Sequence, residues 1–251
     1  METKNPMFSG IKNDDQVLTR DNCATYRGIT IKTIFYVLLA IVAGAVTAVM
    51  LWNQTKNESV SSTLLVTLFL STIVGFIAVM VGRSNPRSAK IAGAIYAICE
   101  GMFLGVISLI GEVFYSGIVA IAGISTVVVF GVMLALFASG IIRNKSKFVS
   151  FGISLGSSVI IMCLVTMLLG FMFSSLVDNL AVVILVEALF MVYACVSLLM
   201  NFIEANQLVQ GGFSKEYEWS CALGLLVTIL YIYIQILRIL MIVYDLFGRN
   251  N

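Results

Sequence analysis

Three glutamates, Glu100, Glu187 and Glu204, stand inside or at the edge of long apolar stretches, together with Arg238, Asn201, Thr228 and Gln235. A charge at the centre of a spanning helix costs about 2.5–3.5 kcal/mol on insertion scales, so each needs a partner or a pathway. Carboxylate, amide and hydroxyl oxygens suit hard cations such as calcium when several converge. The same groups also bond one helix to another. The residues therefore offer either ion coordination or interhelical hydrogen bonding.

Catalysis has less to work with. The chain contains no histidine, which excludes Ser-His and Cys-His nucleophiles and His-ligated metals. No Gly-rich phosphate loop leads into Lys-Ser or Lys-Thr, and the short basic loops do not read as a nucleic-acid surface. Isolated carboxylates point away from an enzyme and ask for no cofactor. Cys99, Cys163, Cys195 and Cys221 sit in or beside apolar runs and Cys23 precedes them, so they do not form a disulfide set.

The elements that carry these residues are seven apolar runs, at about 33–52, 63–82, 89–110, 117–139, 150–174, 180–201 and 220–244. The 251-residue chain is 60% hydrophobic and only 11% charged, too few polar groups to coat a water-soluble globule. Each run is twice the length of a barrel strand, so the expected fold is an all-α integral membrane protein, a bundle of seven transmembrane helices. Residues 1–30 form an N-terminal segment, 31–247 the membrane domain and 248–251 a short tail.

Charge sets the expected orientation. Lys4, Lys12, Arg20, Arg27 and Lys32 precede or open the first span. Arg83, Arg87 and Lys90 follow the second, and Arg143, Lys145 and Lys147 the fourth, whereas the loops after spans three and five have no Lys or Arg. The positive-inside rule makes the N-terminus cytoplasmic, and an odd number of spans puts the C-terminus outside. The stretch from Ala205 to Trp219 reads as an inward loop. A cell (inner) membrane fits this pattern, and the bilayer is the one partner required; other membrane proteins are an additional partner class. Oligomeric state is not legible.

Small residues recur every four positions at Ala97, Gly101 and Gly105, at Ala40, Gly44 and Ala48, and at Gly152 and Gly156. Such strips let helices approach closely. Glu100 borders the first strip and should face protein or a cavity, not lipid. In span seven, Cys221, Gly224, Thr228, Tyr231, Gln235, Arg238 and Asp245 follow steps of three and four, giving a polar stripe on one face. That stripe is either a hydrogen-bonded interface or the lining of a hydrated cavity. Glu187 and Arg238 lie at similar depths, roughly 9–10 Å below one membrane face by helical rise. They are expected to form an ion pair, structural or gating.

Three segments resemble the Bax inhibitor-1/YccA family. They are Tyr96 to Ser108, the basic turn Gly140 to Phe148, and Glu218-Trp219 leading to the run Tyr231 to Leu240. Asn5-Pro-Met-Phe8 is similar to a bacterial branch of it. The resemblance implies seven helices with the last one central, and a pH-sensitive calcium or cation leak. It also implies two acidic residues, on spans six and seven, that share a proton; like carboxylates at close range cannot both ionise freely. The span-six position falls near Asn201, with Glu204 the nearest carboxylate. The span-seven position falls near Val227 or Thr228, and Gln235 stands where the bacterial branch often has Glu.

The leading expectation is thus a calcium or cation leak channel with calcium as the transported ion. Its pathway would use Glu100, Glu204, Asn201, Thr228 and Gln235, with Glu100 and Glu204 the candidate metal ligands. The alternative is a non-conducting regulator that binds a membrane protease or another membrane protein. A secondary transporter is the third reading, without an inverted repeat to support it.

Overall fold

The computed structural model describes residues 23–55, 60–139, 152 and 180–248. Six helices lie among them: α1 (Tyr26–Thr55), α2 (Val60–Ser84), α3 (Ala89–Phe114), α4 (Ile118–Ala138), α5 (Leu180–Gln210) and α6 (Tyr217–Gly248). Five of the six are long and apolar enough to cross a membrane, and α2 contributes a shorter apolar stretch, Phe69–Ser84. The expected span at 150–174, the basic turn at 140–148 and residues 1–22 lie outside the described residues; only Gly152 of the Gly152–Gly156 motif lies within them.

The helices outrun the apolar runs. Most of the stretch from Ala205 to Trp219, expected as a loop, is helical: α5 continues to Gln210 and α6 begins at Tyr217. Hydropathy marks the part of a helix that sits in hydrocarbon, and polar end turns carry the backbone ladder onward. The connection is short because Gly212 takes φ +67, which frees Phe213 N to reach Leu208 O at 3.2 Å and closes α5 in a Schellman turn.

Helix α6 is the axis. It packs against each of the other five described helices. One side, with Leu223, Leu226 and Leu230, joins Tyr36, Ala40, Tyr96, Ala97 and Leu104. The opposite side, with Leu225, Ile232, Ile236 and Leu237, joins Ile118, Ala122, Ala194, Leu198 and Phe202. A helix apolar on two sides must be enclosed, which is why the last helix is central.

The strips on α1 and α3 interlock. A Cβ on Gly101 would strike Ala40 O and lie 2.9 Å from Ala40 Cα; one on Gly105 would strike Gly44 O; one on Gly44 would lie 2.9 Å from Gly101 O. Backbones this close gain dispersion contacts that lipid does not match. Gly101→Val is therefore expected to destabilise the protein by about 1–3 kcal/mol, read as a lower unfolding temperature in detergent. Gly123→Ala, with open space around it, should cost nothing.

Candidate functional site

The polar stripe of α6 meets α5. Asn201, on α5, donates from Nδ2 to Gly224 O at 3.3 Å and to Thr228 Oγ1 at 3.1 Å. Thr228 in turn donates to Leu225 O at 3.0 Å. Both side chains are buried. Gly224 makes this possible: a Cβ there would lie 2.9 Å from Asn201 Oδ1 and 3.2 Å from Arg83 Nη1. The guanidinium of α2 and the amide of α5 thus rest against the same bare stretch of α6 backbone.

Arg83 continues to Glu204, one turn beyond Asn201 on α5, with Nη2 3.4 Å from Oε2. The pair is partly covered, at 34% and 17% side-chain exposure, so it is neither a solvent-screened surface pair nor a sealed one. Arg83, Glu204, Asn201 and Thr228 form one line from the end of α2 inward along the seam between α5 and α6. In the sequence Arg83 reads only as an orienting charge, and its tie to Glu204 is a finding of the structure. An arginine at the mouth of one span and a glutamate at the mouth of another was the available signal.

A second hub closes the same end. Glu218, 2% exposed in the first turn of α6, accepts from Thr25 N at 2.7 Å, Thr25 Oγ1 at 3.2 Å and Lys32 Nζ at 2.7 Å. Thr25 caps α1 by accepting from Gly28 N at 3.0 Å. Lys32 also lies 4.7 Å from the Trp219 ring centroid. Backbone bonding extends the clasp: Ala24 N donates to Phe213 O at 2.7 Å. In the sequence Glu218 stands in the expected inward loop and in the Glu218-Trp219 segment of the family resemblance, with no partner assigned to it. Its place just ahead of an apolar run, with Trp219 beside it, was the available sign of a helix start.

At the far half of the seam, Glu187 and Gln235 are buried. Gln235 Nε2 donates to Glu187 Oε2 at 3.0 Å, and Arg238 Nη1 lies 3.3 Å from Glu187 Oε1. One carboxylate thus satisfies an amide and a guanidinium. Glu187 and Glu204 lie 17 residues apart on α5, about 25 Å by helical rise.

Glu100 is elsewhere. Half-buried on α3, it faces α2, where a Cβ on Gly75 would lie 3.9 Å from its Oε2. Gly75 is eight residues from Arg83 along α2, about 12 Å of rise. Glu204 meets Arg83, whereas Glu100 sits beside Gly75. Among the described residues, no three acidic, thiol or imidazole side chains gather where they could hold a metal ion. Cys99, Cys195 and Cys221 are free thiols; Cys163 lies outside the described residues.

The Glu187 cluster sets a stability test. Glu187→Ala strands both the Gln235 amide and Arg238, whereas Arg238→Ala leaves the amide bond in place. The double variant should be more stable than the sum of the two losses predicts, by about 0.5–3 kcal/mol in a thermodynamic cycle. Additive losses would mean that the two residues do not interact.

Comparison with known proteins adds the family. A family model described as Bax inhibitor 1 like matches residues 5–245. No curated protein and no solved structure matches the chain. The family match covers nearly the whole sequence, and the described helices form an apolar bundle around α6. The chain is an integral multi-pass membrane protein that belongs to the Bax inhibitor 1 like family.

Proposed function

We propose that this protein is a pH-sensitive calcium or cation leak, latched by Arg83 and Glu204. The observation that carries the reading is the 3.4 Å contact between these side chains at the mouth of the α5–α6 seam. A carboxylate there attracts a cation; a guanidinium bound to it occupies that charge and repels the cation. Release of Arg83 leaves Glu204 to receive the ion, and the Asn201 and Thr228 oxygens stand next along the seam as ligands. Protonation of Glu204 abolishes the negative charge on which both the latch and the ion depend, so proton and cation compete for one group.

In this reading the latch is a single carboxylate against an arginine, in place of two carboxylates sharing a proton. Gln235 cannot ionise, and its amide is committed to Glu187. Glu187, Gln235 and Arg238 form the corresponding constriction at the other end of the seam. Arg27, Lys32, Arg83, Arg87 and Lys90 all belong to the end that holds the latch. By the positive-inside rule, that end is cytoplasmic in a cell membrane and the C-terminus is outside.

Calcium efflux from proteoliposomes containing the purified chain tests the reading. Arg83→Gln should raise the flux several-fold, since it frees the carboxylate. Glu204→Gln should lower it towards the protein-free rate, and the double variant should stay low. Glu100→Gln, outside the seam, should change flux less than Glu204→Gln. Equal flux in all four variants and in empty vesicles would reject conduction and leave the non-conducting regulator as the better account.

For orientation, a periplasm-active phosphatase fused after Asn251 should be active, and the same fusion before Met1 inactive. The reverse pattern would invert the topology.

A further inference from the structure

An apolar groove runs down the outside of the bundle between α2 and α3. Val74, Ile77 and Val81 line one wall, Ile91 and Ile95 the other, and Ala78 and Ala92 the floor, around a cavity of about 350 Å³. The walls face outward: Ile91 is 69% and Ile77 55% exposed. In a membrane protein such a face meets acyl chains. Its small floor residues recess the surface between two ridges, so that it forms a channel open along one side.

The upper end of this groove is polar and basic. Ser88 belongs to its lining, and Arg87 and Lys90 flank Ser88 in the turn that opens α3. The Arg87 side chain is 81% exposed and meets Glu216 only at 3.6 Å, an exposed pair that holds its charge weakly. Lys90 has no acidic partner among the described residues, and its Nζ lies 5.5 Å from the Trp219 ring centroid. Tryptophan and lysine together mark headgroup depth. A chain-shaped apolar groove with two exposed cations on either side of its Ser88 end is complementary in both shape and charge to an amphiphile with an anionic head.

The geometry points to a specific site for an anionic phospholipid: one acyl chain in the α2–α3 groove and the headgroup phosphate between Arg87 and Lys90. This site lies at the same end as the Arg83 latch, four and seven residues further along the chain. It does not depend on whether the protein conducts.

Native mass spectrometry of the full chain tests it, after mild detergent release from bilayers of equal phosphatidylglycerol and phosphatidylcholine with matched chains. The wild type should retain phosphatidylglycerol in several-fold preference. An Arg87→Gln/Lys90→Gln variant should lose that preference, by roughly fivefold for each charge removed. Val81→Trp, which fills the groove from its exposed rim, should lower retention of both lipids. Arg27→Gln, an exposed cation on α1, is the control and should change nothing. All variants are compared at wild-type helicity and elution volume.

Equal retention of the two lipids by the wild type, an unchanged preference in the double variant, or full retention by Val81→Trp would each overturn the proposal. So would a lipid-free dimer crosslinked through this face, which would assign the groove to a second copy of the chain.

Discussion

A polar atom in hydrocarbon has no water to fall back on, and this constraint organises the seam between α5 and α6. Asn201, Thr228, Glu187 and Gln235 are all buried, and each finds its partner across that seam or on the adjacent backbone. Shifting α6 by one turn would break the bonds from Asn201 to Gly224 O and Thr228 and from Gln235 to Glu187, while Thr228 would keep its bond to Leu225 O on its own helix. The register of the central helix is therefore fixed by a few hydrogen bonds, while its depth and enclosure come from the leucines and isoleucines on its two sides. Dispersion alone would tolerate several registers; unsatisfied amides and carboxylates would not.

The rest of the bundle supports that arrangement. The interlocked small residues of α1 and α3 bring two backbones together and form one wall around α6. Glu218 then clamps the start of α1 to the start of α6, with three donors on one buried carboxylate. Tyr36 adds a second tie, donating to Ala89 O at 3.0 Å at the beginning of α3. The end of the bundle that carries the basic residues is thus tied into one unit. Within it, the Arg83–Glu204 contact is partly covered, at 34% and 17% side-chain exposure.

Much of this was legible in the sequence, and the gaps have physical causes. The close strips on α1 and α3 could be read from spacing because a four-residue repeat is a local property of a helix. Glu187 and Arg238 could be matched because depth follows from counting along neighbouring helices. Neither rule says which helix lies across from a given face. Glu100 is one residue before Gly101, about 100° round the helix, so its strip meets α1 while the carboxylate turns to α2. Arg83 reaches Glu204 from a helix distant in sequence, which no local pattern reveals. Glu218 was hidden because hydropathy ends a span where polarity begins, although the helix continues. Gln235 was visible as part of a stripe, but its bond to Glu187 depends on the rotation of both helices.

Proton sensitivity assigned to a single carboxylate is the most exposed element of the account. The direct measurement is calcium efflux from proteoliposomes over a pH series, with wild type and Glu204→Gln side by side. Flux should change with pH in the wild type and keep a flat, low profile in the variant. A variant that keeps the wild-type pH response would show that the proton acts somewhere other than the Arg83–Glu204 latch.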